Sequence, residues 1–222
     1  MDLKEISNFI TSSAKSLNIK KWDFGASFSN DFSVQVDKGI AKQLKASQKQ
    51  VLTLRVWNKK NLVGITTTSD LSENGLKKAL YQANLASDYG NKNELTDFSP
   101  LAKDPIKDIK QAKRSPAGIK KLLETLRFAE SELLKKHSAI KTIPYNGLSE
   151  SFYKRIYANS EGAQRSYAKS QAAIYLYARA EENNRKPRSS GSVKIGYGLE
   201  DIDINSCIDE AAEKTISHLN YS

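Results

Sequence analysis

The sequence predicts an α+β protein made of two successive helix–antiparallel sheet–helix units, with a mixed or antiparallel β-sheet flanked by helices. Three observations predict it. Amphipathic helical stretches alternate with runs of alternating apolar and polar residues, the order helix–strands–helix occurs twice, and a stretch without periodicity separates the two occurrences.

In the first unit, 1–90, residues 2–18 place Leu3, Ile6, Phe9, Ile10, Ala14 and Leu17 on one face at helical spacing. Alternating residues then run to Asp37-Lys38-Gly39, where Gly39 suits a hairpin turn. The runs IAKQLKAS and QVLTLRVW read as two further strands, and Asn58–Asn61 turns the chain into LVGITTT, a fourth. Ser72 is placed to cap a helix whose stripe is Leu76, Ala79, Leu80 and Ala83.

Residues 91–115 lose all periodicity and read as an extended linker. The second unit, 116–222, starts with Ser115 as cap and Pro116 at the first helical position. Ile119, Leu122, Leu123, Leu126, Ala129, Leu133 and Leu134 form the helix's apolar face. Strand-like runs follow to SGSVKIGYG, and a closing helix covers about 204–219. At a constant offset of 132, Val63-Gly64 matches Ile195-Gly196, Leu76 matches Ile208, and Ala79-Leu80 match Ala211-Ala212. That agreement points to one α+β unit written twice.

Charge is uneven. Of the formal +10, residues 101–145 supply +6, from 11 Lys/Arg against 5 Asp/Glu. A basic segment can attract nucleic acid or an acidic surface. No aromatic residue interleaves with the lysines of 103–121, so bases have no stacking platform there. No apolar run approaches the ~20 residues of a membrane span. Charges within residues 1–17 make a poor signal peptide, and the single Cys207 leaves no internal disulfide, so a cytoplasmic setting is expected.

Catalytic signatures are missing. There is no G-x-S-x-G elbow, no phosphate-cradling glycine motif, and no clustering of Cys207 with His137 and His218 as zinc ligands. Cys207 and the two histidines read as helix residues. The carboxylate pairs Glu181-Glu182 and Asp201/Asp203 read as a strand end and a helix start. No catalytic, cofactor-binding or metal-binding residue is therefore assigned. One stretch remains: Asn159, Ser160, Glu161 and Gly162 lie between two alternating runs and read as a hairpin turn, with Ser160 and Glu161 exposed for partner contact.

VGITTTSDLSENGLKKALYQANLAS (63–87), YANSEG (157–162) and DEAAEKTISHL (209–219), in that order, resemble the N-terminal half of the TldD/PmbA family over essentially the whole chain. TTTSDLS and ARAEEN look closer to its PmbA/TldE type. The resemblance implies one subunit of a heterodimeric zinc metallopeptidase complex, a family also called modulators of DNA gyrase. It implies a second TldD/PmbA-type subunit and peptide substrates as partners. Zinc would sit in the catalytic subunit, on a helical His-Glu-x-x-x-His that these residues lack, and the C-terminal half of the family would be absent here. The function expected is a scaffold and substrate-recognition region in proteolysis, not itself catalytic. The alternative is a nucleic-acid-associated module using 101–145, although nucleic acid is not expected as a partner, nor is a membrane. The tyrosine-rich run Tyr167, Ile174, Tyr175, Leu176, Tyr177 is the candidate docking strand.

Overall fold

The first helix starts where charge and hydrogen bonding favour it. Asp2 Oδ1 accepts from Glu5 N at 2.9 Å and Glu5 Oε2 accepts from Asp2 N, a reciprocal capping box in front of α1 (Leu3–Ser16). A computed structural model describes residues 2–90, 97–106 and 114–219. After α1 come β1 (Lys21–Asp37), β2 (Ile40–Trp57), β3 (Val63–Thr68) and α2 (Glu73–Ser87). Then follow α3 (Gly118–Lys135), β4 (Ile140–Asn159), β5 (Gln164–Ala180), β6 (Arg188–Gly196) and α4 (Ile204–Ser217). The strands form one open sheet in the order β3-β2-β1-β4-β5-β6. β2–β3 and β5–β6 pair antiparallel. So do β1 and β4, since Ser160 N bonds Trp22 O while Val36 N bonds the Asn146 side chain. The α+β class and the repeated element order hold.

Each occurrence has three strands, not four. IAKQLKAS and QVLTLRVW are a single 18-residue strand, β2. Its residues from Ile40 to Val51 are exposed or half-buried, so no inward-facing alternation marks them as continuous with the buried Leu52, Leu54 and Val56. The β1–β2 turn has Lys38 and Gly39 at φ 51° and 75°, the left-handed pair a two-residue hairpin needs. Glu130 holds that tip: its buried carboxylate accepts from Lys38 N at 3.1 Å and Gly39 N at 2.6 Å.

By packing, the chain divides into two units that each draw on both sequence halves. Unit 1 comprises Met1–Ser29, Lys49–Lys110 and Tyr153–Ala168. Unit 2 comprises Asn30–Gln48, Gln111–Phe152 and Lys169–Ser222. The core of unit 1 gathers Ile6, Ile10, Phe24, Leu52, Leu54, Leu76, Leu80 and Ile156 between α1, α2 and one sheet face. The core of unit 2 gathers Leu122, Leu126, Leu133, Ile174, Leu176, Cys207 and Ile208 between α3, α4 and one sheet face. The centres of the stripes read from sequence are buried, while Leu3, Phe9, Leu17, Ile119, Leu123 and Leu134 at their margins are half-buried.

The offset of 132 is structural in the helices, where Leu76 and Ile208, and Ala79 and Ala211, are all buried. It fails in the strands. Gly64 lies against the α2 backbone at Ala83 and Ser87, whereas α4's Thr215 donates to Ser190 O at 3.0 Å, so Ser190 and not Gly196 faces the second helix there. The start of α3 also differs from expectation. Ser115 makes no cap; the helix begins at Gly118, and the buried Glu150 of β4 accepts from Ala117 N at 2.7 Å and from Leu199 N at 3.2 Å. A carboxylate at a helix N-terminus is favoured by the peptide dipoles. The linker expected over 91–115 falls at 91–96 and 107–113 outside the described residues; within it Pro100–Lys103 form a 3-10 turn. No helix among the described residues is long and apolar enough to cross a membrane.

Candidate functional site

The Asn159–Gly162 stretch joins β4 to β5 and is built from its own side chain outward. Asn159 Oδ1 accepts from Glu161 N at 3.1 Å and Ala163 N at 2.9 Å, and Gly162 takes φ +89° to let the chain return. Asn159 is buried. Ser160 is committed rather than free. Its N donates to Trp22 O at 2.9 Å and its Oγ accepts from Trp22 N at 3.2 Å, which adds one rung to the β1–β4 ladder. Glu161 is about half exposed and faces Lys103 at 3.2 Å.

Behind the turn lies a polar network that sequence reading missed. Asn159 Nδ2 contacts Tyr157 Oη at 3.5 Å, Tyr157 Oη donates to Asp23 Oδ2 at 3.2 Å, and Asp23 takes the Arg55 guanidinium through two bonds, one from Nε at 2.8 Å. Asp23 is 2% exposed. Arg55 also lies over the Trp57 ring, and Lys21 lies over both Trp57 and Phe98 while pairing with Asp97 at 2.6 Å. Burial and the Asp23 charge push the Tyr157 phenol above its ordinary range, and the Asp23 hydrogen bond raises Arg55 further. The network ties three strands of the sheet together. Strand alternation puts Asp23, Arg55 and Tyr157 on the face opposite Phe24, Leu54 and Ile156.

On the other side of the turn, α1, the α1–β1 connection and residues 159–164 enclose a cleft of about 450 Å³, lined among others by Asn8, Lys15, Lys20, Asn159, Ser160 and Gln164. The remaining sequence candidates are structural. Glu181 pairs with Arg179, Glu182 with Arg185, Asp201 with Arg114, and Asp203 caps α4 through Ser206 N. Cys207 is buried, which pushes its thiol up, and its Sγ lies against Ser192 O. His137 Nδ1 accepts from Ala139 N just past α3, and His218 caps the end of α4. Among the described residues no three His, Cys, Asp or Glu side chains gather as metal ligands. The zinc that the resemblance implies for the family therefore has no fitting donor set here.

The tyrosine-rich run splits by alternation. Ile174 and Leu176 are core, while Tyr167 and Tyr177 are exposed. On the same outer face, Val193 and Ile195 of β6 stand opposite Tyr175 and Ala173 of β5, and Val193 and Ile195 are exposed too.

Three comparisons bear on kinship. Residues 112–219 match the family model described as PmbA/TldA metallopeptidase central domain. No curated protein matches the sequence. The fold is similar to that of a candidate DNA gyrase modulator from Thermotoga maritima, with TM-score 0.77, 16% identity, and coverage of 97% of this chain and 48% of that one. It is similar to TldE from Thermococcus kodakarensis at TM-score 0.77 and 15% identity, over 95% and 47% of the two chains. It is similar to a second candidate DNA gyrase modulator, from Bacteroides thetaiotaomicron, at TM-score 0.74 and 12% identity, over 96% and 49%. The chain thus spans about half the length of the structures it matches. Residues 112–219 thus match the PmbA/TldA metallopeptidase central domain, and the whole fold is similar to that of these structures.

Proposed function

We propose that this chain is a scaffold and substrate-recognition region of a TldD/PmbA-type metallopeptidase complex, of the TldE type, acting in the cytoplasm on peptides. A second family subunit supplies the zinc chemistry, and these residues do not carry the catalysis themselves. The observation that carries the reading is the central-domain match over 112–219, joined to a TldE-like fold. Two features of the molecule support it. Glu181, Glu182, Asp201, Asp203, His137 and Cys207 are each engaged by a structural partner rather than set as a nucleophile beside a base. The outer sheet face of unit 2 exposes Tyr177, Val193 and Ile195, an apolar surface of the kind that subunits cover. The Asn159–Gly162 turn offers Glu161 at its tip as a partner contact.

The test is reconstitution. Full-length chain is mixed with a family subunit bearing His-Glu-x-x-x-His, and complex formation and hydrolysis of an unfolded peptide are followed. A complex that cleaves faster than the zinc subunit alone, with this chain inert alone, is the expected result. Hydrolysis by this chain alone overturns the non-catalytic role, and absence of both complex and stimulation overturns the partnership. The nucleic-acid reading loses ground because Lys103, Arg114, Lys135 and Lys136 of the basic segment are tied to carboxylates. Duplex binding that weakens steeply with salt would restore it.

A further inference from the structure

The cleft beside the Asn159 turn has a chemistry of its own. Its volume, about 450 Å³, lies in the range of roughly 300–1,000 Å³ usual for small-ligand sites. No carboxylate lines it, but Lys15 and Lys20 do, and neither is ion-paired among the described residues. Both are exposed, Lys15 in the last turn of α1 and Lys20 in the connection just before β1.

Of the buried lining residues, Ile19 and Trp22 are apolar, while Ser7 and Asn159 bring polar groups with weak employment. Ser7 and Asn159 are 6% and 4% exposed. Asn159 gives its acceptor to its own turn, while its Nδ2 has only the 3.5 Å contact with Tyr157 Oη. Gln164 Nε2 reaches Ser7 Oγ at 3.4 Å, near the limit of a hydrogen bond, and the Ser7 hydroxyl keeps its proton to offer. A wall of amide and hydroxyl donors with two ammonium groups and no acid selects a ligand group that only accepts.

We propose that this cleft binds an oxyanion carried by a small ligand, either the terminal carboxylate of a short peptide or a phosphate group. The proposal goes beyond the peptidase reading and does not depend on it, because it concerns unit 1 alone and requires no partner subunit.

The experiment titrates the full chain with N-acetyl-trialanine as free acid, with the same peptide amidated, and with inorganic phosphate, following amide shifts by NMR. The expected result is saturable binding of the free acid, weakened about tenfold or more by amidation and again by Lys15→Ala/Lys20→Ala, as loss of charge-assisted hydrogen bonds requires. Gln164→Glu, which places a carboxylate at the wall, weakens it as well. Tighter binding of phosphate with the same lysine dependence supports the site and assigns phosphate as its source. The proposal is overturned if neither anion binds, or if binding ignores both amidation and the lysine variants. All three substituted side chains are exposed, so equal melting temperatures separate a binding defect from a folding one.

Discussion

The side-chain amide of Asn146 and the peptide of Val36 exchange two hydrogen bonds, Nδ2 to Val36 O at 2.9 Å and Val36 N to Oδ1 at 3.0 Å. A side chain here does what a backbone does elsewhere in the ladder. Asn146 also donates to Ile143 O at 2.9 Å, bridging the stretch of β4 that contains Pro144. Asn146→Ala leaves two backbone groups of Val36 without partners. At about 1–3 kcal/mol for each stranded group, the loss is about 2–6 kcal/mol. Urea unfolding measures it; a change below about 1 kcal/mol would mean that water or a shifted strand replaces the amide.

Gly64 and Gly196 look equivalent in sequence and are not. A Cβ at Gly64 would overlap the Ala83 carbonyl and the Ser87 nitrogen, both backbone atoms of α2. One at Gly196 meets the Asp201 Cβ at 3.0 Å. Gly64→Ala is expected to cost about 3 kcal/mol or more, the upper end of overpacking, and Gly196→Ala about 1 kcal/mol or less. Thermal melts of the two variants decide; equal losses would contradict this packing.

Glu210 carries the acid sensitivity of the α4–β6 contact. Lys194, Lys214 and Ser192 all bond its carboxylate, at 2.6, 2.5 and 2.8 Å, and hold its pKa at about 2 against an ordinary 4.5. Because the folded value is the lower one, its stabilisation is complete above about pH 4.5 and is lost as pH falls towards 2. Glu210→Gln should flatten the stability profile within that window and leave its slope at neutral pH alone. Carbon NMR of the Glu210 carboxyl gives the direct reading, and titration near 4.5 would remove the argument.

Cys207 is fully buried and its thiol is pushed up by burial. A thiol reagent at pH 8 should modify it at least about a hundredfold more slowly than free cysteine, because reaction waits for opening of the core. Denaturant should release the full rate. Fast labelling of the native protein would show α4 to be detached.

What could be read from sequence follows the range of the interaction. Helix stripes such as Ile6, Ile10 and Ala14, and the turn at Lys38-Gly39, are specified within a few residues and were legible. The helix start at Gly118 was not, because Glu150, which accepts from Ala117 N in front of it, lies 33 positions beyond Ala117, and Ser115 was the nearer candidate. The same distance hid the Asp23–Arg55–Tyr157 network, whose members sit on three strands. The Asn159 turn was visible as a turn; that α1 stands over it and closes a cleft with Lys15 and Lys20 is a product of tertiary packing alone.

The β1–β2 tip, held by Glu130, belongs to unit 2, while the other ends of both strands belong to unit 1; Tyr153–Ala168, where β4 meets β5, makes the reverse trade. Each unit is therefore assembled from strand segments of both sequence halves. Cutting the gene between the sequence halves would not liberate two modules. It would yield two incomplete partners, each missing strands that only the other carries, which makes the pair a natural starting point for a split reporter that regains its structure on mixing.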